Sequence, residues 1–271
     1  QGPGSANSDA DFRFRQDEFP NYNQQSVYSY PNQNLALFSE NIFYAHPKLS
    51  FTPGVRFEFI ETAALGEYKK INTDAAGNVI LNKTVPTSEN RRRNFALFGL
   101  GIEYKPTPKM EFYGNISQNY RSVTFTDISI VNPAYIINPN ISDEKGFTTD
   151  FGVRGRFKKT FSFDANLFRI YYNNRIGFIQ KKFNDGSVKS ERGNVGDAVL
   201  YGVESLLDIN LKELLTLVNE NFNINYFVNF SLIDSEYTSS ITPGITGKKV
   251  EFVPKVNLKT GLKVGYKNYS L

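Results

Sequence analysis

Four arginines occupy positions where their chemistry could matter. Arg91, Arg92 and Arg93 are consecutive, and Arg121 closes a later stretch of alternating residues. A guanidinium group offers a planar fork of donors that pairs well with carboxylate oxygens. In an extended chain Arg91 and Arg93 share one face, and Arg92 takes the other. Arg91, Arg93 and Arg121 could together make a basic pocket for an anionic ligand. The alternative is that they are solvated rim residues contacting acids of nearby loops. Arg92 is expected to face outward and snorkel.

The other reactive side chains give less. Asp150, Asp164 and Glu204 could in principle pair as catalytic carboxylates. The single histidine, His46, sits in a short turn before Pro47, so neither a Ser-His-Asp triad nor a metal cluster can be assembled around it. Cysteine is absent, which removes thiol catalysis, disulfides and thiolate metal sites together. The net charge is only +4, and no dense basic block exists beyond the three consecutive arginines, so a nucleic-acid partner is not expected. No enzyme, metal site or cofactor is expected.

The elements that carry these residues read as strands. From Asp150 to Phe157, Phe151, Val153, Gly155 and Phe157 alternate with Asp150, Gly152, Arg154 and Arg156. Period two makes one apolar and one charged face. A turn at Lys158-Lys159-Thr160 follows, and Phe161, Phe163, Ala165 and Leu167 return against Ser162, Asp164 and Asn166. Similar alternation places strands at Asn34 to Tyr44, Lys48 to about Glu67, Arg91 to Tyr104, Met110 to Arg121, Gly196 to Leu211, Phe222 to about Tyr237, and a last strand around Val256 to Val264. The count is about nine. Residues 1–33 and 122–145 read as loops, 68–90 as a polar loop with room for a small hairpin of its own around Asp74-Ala75-Ala76-Gly77-Asn78, Asn184-Asp185-Gly186 as a turn, and residues 212–220 as a turn or two of helix.

Connections alternate strictly. They are short after residues 44, 105, 157 and 211 and long after 67, 121, 178 and 238. Short turns at one end, long loops at the other and a polar inner face are the signature of an outer-membrane barrel. The 24 Phe and 16 Tyr would suit strands and the aromatic girdles of such a barrel. No run of roughly eighteen apolar residues exists, so no membrane-spanning helix is expected. The expected fold class is all-β, an antiparallel up-and-down transmembrane barrel. A soluble β-sandwich is the alternative, with the charged faces in water.

Several segments resemble TonB-dependent outer-membrane receptors. Residues 138–155, NPNISDEKGFTTDFGVRG, resemble that family's NPxLxPExxxxxExGxRG, with Asp143 where Pro is usual and Asp150 where Glu is usual. Residues 119–128, NYRSVTFTDI, resemble GYRxPTFxDI; YNNRIG at 172–177 resembles YDNRIG; and YGVE at 201–204 resembles RGVE. ALFSEN at 36–41 and TPGVRFE at 52–58 resemble ALFxEN and TPGxRxE. The order is the family's, and the style is nearest its ferric-citrate receptor branch.

The resemblance implies a barrel of about 22 strands, a plug domain inside it and import energised through TonB. About nine strands make part of such a barrel. The expected organisation is therefore a partial barrel over residues 1–271, an extracellular loop at 1–33 and no plug. Implied partners are outer-membrane lipid, the TonB complex by way of the missing plug, and a ferric chelate, citrate-like, as transported ligand. The implied location is the outer membrane of a Gram-negative bacterium. Arg91, Arg93 and Arg121 would bind the chelate. Arg56, Glu58, Arg154, Arg156 and Glu204 would lie lower in the lumen, contacting the plug or each other. A receptor for another siderophore, a glycan or cobalamin is the nearest alternative; a barrel enzyme and a structural β-protein come from other classes.

Overall fold

The computed structural model describes residues 12–13, 26–128, 135–183, 186, 188–218, 221–267 and 269–270. Its elements are β1 (Phe12–Arg13), β2 (Ser26–Ser29), β3 (Asn32–Glu40), β4 (Phe43–His46), β5 (Leu49–Thr73), β6 (Val79–Thr107), β7 (Met110–Arg121), α1 (Phe125–Ile128), β8 (Tyr135–Ile137), β9 (Glu144–Phe157), β10 (Phe161–Lys182), β11 (Val188–Asn210), α2 (Leu211–Leu214), β12 (Phe222–Ser239), β13 (Val256–Tyr266) and β14 (Tyr269–Ser270). All strands join one sheet, in the order β1-β2-β5-β6-β7-β9-β10-β11-β12-β13-β14, with β3 and β4 also on β5 and β8 on β11.

Strands β2, β3 and β4 lie end to end along β5, from Ser26 opposite Tyr68 to Phe43 opposite Phe51. They act as one interrupted strand, which leaves nine long strand positions among the described residues. The break between β3 and β4 falls beside Pro53, which has no N–H to give the ladder. Short turns at 47–48, 108–109 and 158–160 close one end of the sheet. At the outer face, apolar side chains such as Phe98, Leu100, Ile102, Ile116, Phe151 and Leu167 stand 43% to 59% exposed. That is the dress of a lipid-facing wall.

The polar face is knitted by aromatic–glycine pairs. Tyr113 lies directly opposite Gly152, Phe168 opposite Gly202 and Phe227 opposite Gly261. Each ring lies over its glycine; a Cβ at Gly152 would come within 2.3 Å of Tyr113 Cζ, and one at Gly261 within 2.5 Å of Phe227 Cε1. Glycine is needed here for close approach, and the ring supplies the cover that the glycine lacks.

The strands run well past the expected boundaries. Residues 68–90 are not a loop: β5 and β6 continue as a paired ribbon from Leu65↔Ser88 to Thr73↔Val79. Its turn is closed by Asp74, whose carboxylate accepts from the N–H groups of Ala76 and Asn78 at 2.9 and 2.8 Å, with Gly77 at φ 86°. Likewise β10 reaches Lys182 and β11 begins at Val188. Along these ribbons the buried positions carry Ala64, Glu191 and Gly193 as well as Ile71 and Val195, so the apolar–polar alternation that marks a strand is lost from the sequence. Within 1–33 the described residues form β1, β2 and the start of β3, with Tyr30-Pro31 between the last two; residues 1–11 and 14–25, and Asn184-Asp185 of the expected turn, lie outside the described residues. The segment 122–145 contains α1 and β8, neither expected. At 212–220 one turn of helix, α2, is capped by the Asn210 side chain, which accepts from Glu213 N–H at 3.1 Å.

Candidate functional site

Arg91, Arg93 and Arg121 all reach the segment that links β7 to β9. The Arg93 Nε–H is shared between the two Asp143 carboxylate oxygens at 2.9 and 2.8 Å, and its Nη2 reaches Val123 O at 3.4 Å. Asp143 also accepts from Val123 N–H at 2.8 Å and from the Tyr120 hydroxyl. Arg91 donates from Nη1 to Ile141 O at 2.8 Å. Arg121 forks between Glu144 at 2.8 Å and Asp127 at 3.2 Å. Arg93 is buried, so its charge is committed to holding the segment down.

Asp127 is the hub of this clasp. It is fully buried, pairs with Arg192 at 2.6 Å and accepts from Thr124 N–H at 2.8 Å. Burial alone pushes the Asp127 carboxyl up, but the Thr124 N–H and the Arg192 guanidinium outweigh it and leave it below the usual carboxylate range. Burial likewise opposes ionisation of Asp143, and the Tyr120 hydroxyl, Val123 N–H and Arg93 together bring it below its ordinary value. Glu144 accepts from Ile176 N–H at 2.6 Å, tying the clasp to β10. Beneath it pack Tyr28, Tyr30, Ala64, Val123, Ile141 and Ile176.

A second clasp holds the 240–255 connection. Arg175 pairs with Glu251 at 2.7 Å, and Glu251 accepts from the Tyr237 hydroxyl at 2.9 Å. Between the two clasps opens a cavity of about 980 Å³ lined by Arg121, Arg175, Phe178, Arg192, Glu144 and Phe252, among others. The acids that neutralise Arg121 lie beneath it. Its side chain is 38% exposed, against 0% for Asp127 and 7% for Glu144. At that point of the lining Arg121 is the more exposed partner, while Glu251, in the same lining, is 44% exposed and adds an accessible carboxylate.

The lower charged residues form another group. Arg56 pairs with Glu58, which is buried. Arg154 pairs with Glu111, lies 5.3 Å from the Tyr113 ring centroid and shares a 550 Å³ cavity with Arg156 and Asp164. Glu204 stands exposed on β11 between Asn166 and Ser231. Arg92 is exposed and pairs with Glu61 at 3.0 Å. His46 Nδ1 accepts from Lys48 N–H at 3.2 Å in the turn. Among the described residues no group of three or more His, Asp or Glu is placed to hold a metal ion.

Asp127, Asp143 and Arg175 stand out in the sequence only as positions inside the motifs at 119–128, 138–155 and 172–177. Arg192 and Glu251 fall in the long connections after residues 178 and 238, with no local pattern to mark them.

One sheet, antiparallel but for the short β8 on β11, apolar outside and charged inside, with short turns at one end and long connections at the other, defines the wall of an outer-membrane transport barrel. Residues 2–270 match the family model described as TonB dependent receptor-like, beta-barrel, and the chain belongs to that family. Its members are outer-membrane transporters of Gram-negative bacteria, not enzymes, and carry no cofactor. The fold is similar to that of the ferric yersiniabactin uptake receptor FyuA from Yersinia pestis, with TM-score 0.64 and 17% identity over 88% of this chain and 32% of that one. It is similar to the ferric-catecholate import receptor Fiu from K12 E. coli, with TM-score 0.63 and 12% identity over 91% and 34%. The ferric citrate transporter FecA gives TM-score 0.56 and 16% identity over 88% and 40%. At these identities the likeness is one of fold. The chain spans about a third of the length of the first two receptors, and no curated protein matches its sequence.

Proposed function

We propose that the chain is part of the wall of an outer-membrane receptor that imports an anionic ferric chelate, with a plug domain and TonB supplying the drive. The observation that carries this reading is the cavity at the loop end of the polar face, whose lining includes Arg121, Arg175 and Arg192, the first and last of them paired with the more deeply buried Asp127. Carboxylate-rich complexes such as ferric citrate fit that chemistry. Arg121 is the contact residue of the three expected arginines, while Arg91 and Arg93 set its surroundings by holding the 122–143 segment. Arg56, Glu58, Arg154, Arg156 and Glu204 line the region that faces the plug. The 1–33 segment belongs to the extracellular side.

The test uses the complete receptor that carries this chain, expressed in cells without other ferric-chelate receptors. Radiolabelled iron supplied as ferric citrate and as other anionic chelates should accumulate only when TonB is present. Arg121→Ala should lower uptake by roughly tenfold, the cost of one charge-assisted bond to the ligand. Uptake of none of these complexes, or uptake indifferent to TonB, would refute the reading. The chain expressed by itself should transport nothing.

A further inference from the structure

The 240–255 connection is pinned on both sides of one residue. Val250 is buried, and its N–H reaches Ser235 Oγ at 3.3 Å. Glu251 is held by Arg175 and Tyr237. Val253 packs against the cluster of Val195, Ala198, Tyr237 and Val250. Phe252, between them, takes φ 61°, a left-handed conformation that a bulky L residue rarely adopts. Its side chain is driven out of the packed layer, and the residue is 100% exposed at the cavity wall.

A bulky residue stays in such a strained conformation only where its surroundings hold it there, and strain of this kind clusters at ligand-contacting sites. Across the same cavity Phe178 is 53% exposed, and the Arg192 guanidinium lies 4.6 Å from its ring centroid. Ring, guanidinium and ring thus border one space. That set matches a ligand with flat aryl faces and anionic oxygens on the aryl edge, because rings stack on rings while phenolate oxygens pair with guanidinium. Citrate offers the oxygens and no aryl face.

We propose that Phe252 is a specificity-determining contact that, with Phe178 and Arg192, makes the cavity select aryl-bearing ferric chelates, of catecholate or phenolate type, over aliphatic carboxylate ones. The inference rests on the ferric-chelate reading and narrows it. Phe252→Ala removes the ring, and Phe252→Tyr keeps it. In the complete receptor, uptake of radiolabelled iron is compared between a ferric tris-catecholate and ferric citrate, at matched amounts of receptor in the outer membrane. The wild type should favour the catecholate. Phe252→Ala should lower the catecholate-to-citrate ratio by roughly threefold to tenfold, the worth of one aromatic contact, and Phe252→Tyr should retain it. A wild type that favours citrate, or a ratio unmoved by Phe252→Ala, would overturn the inference and leave the ferric-chelate reading standing. A wild type that takes up neither complex nor any other anionic chelate would sink that reading itself.

Discussion

Replacing Gly152 by Ala tests whether the aromatic–glycine pairs bear on stability. The new Cβ would lie 2.3 Å from Tyr113 Cζ and 2.4 Å from its hydroxyl oxygen. Carbon atoms rest at about 3.5–4.0 Å, so the ring must move by more than about 1 Å. Its hydroxyl donates to Asp164 at 2.6 Å, and Arg154 lies over its face. Displacement breaks the first contact and loosens the second. A bond to a charged group is worth about 1.5–3 kcal/mol, and a partly exposed cation–π contact about 0.5–1 kcal/mol. Asp164 is half-buried rather than sealed, which favours the lower end and gives a loss of about 2–3 kcal/mol. The assay is urea unfolding of the complete receptor in lipid vesicles, followed by far-ultraviolet circular dichroism and gel mobility. In a Tyr113→Ala background the same glycine replacement should cost less than about 0.5 kcal/mol, because the three atoms nearest the new Cβ all belong to the Tyr113 side chain and are gone. Equal costs in both backgrounds, or no cost beside the intact tyrosine, would refute the reasoning.

Three further outcomes follow from the clasp and the wall. Asp143→Asn leaves the buried Arg93 without its counter-charge, a change worth about 3–5 kcal/mol, and should open the 122–143 segment to limited proteolysis while the strands stay protected. Asp127 and Asp143 both titrate below the ordinary Asp value when folded. Their contribution to loop docking is therefore fully present above about pH 4 and lost as pH falls through the lower folded values; the protection of Val123 and Thr124 N–H against hydrogen exchange, relative to the intrinsic rate at each pH, should fall there and hold steady from about pH 5 to 7. Leu100→Lys on the outer face should cost about 2–4 kcal/mol in a bilayer, whereas Ser117→Lys on the polar face should cost less than about 1 kcal/mol. Vesicle unfolding of the two variants separates a lipid-facing wall from a water-facing one.

The strands were legible wherever one face met lipid and the other met the lumen. There Phe98, Leu100 and Ile102 alternate with Gly99, Gly101 and Glu103, and nine positions could be counted in order. Alternation vanished in the ribbons from 64 to 88 and from 178 to 195, where the buried positions mix Ala64, Glu191 and Gly193 with Ile71 and Val195 and side-chain polarity says nothing about direction. The site was half legible. The faces of Arg91, Arg93 and Arg121 follow from period two, but their partners do not. Asp143 lies 50 residues beyond Arg93, and Asp127 lies 65 before Arg192. Only the fold of the linking segment over the sheet brings them together. Phe252 looked like any loop residue because its meaning lies in a backbone angle and in the pinning of its neighbours.

The parallel pairing of β8 with β11 sets an order of events. Tyr135–Ile137 docks on Ser190–Arg192, so its partner lies about fifty residues farther along the chain, beyond two full strands. Hairpins such as β9–β10 need only neighbours and can zip early; a long-range contact must wait for the loop it closes. Arg91, Arg93 and Arg121 on β6 and β7 can hold the segment carrying Asp127 and Asp143 as soon as that part of the wall stands. The Asp127–Arg192 pair and the β8 docking are added only when β11 arrives, so the roof over the arginines is completed last, after the wall that supports it.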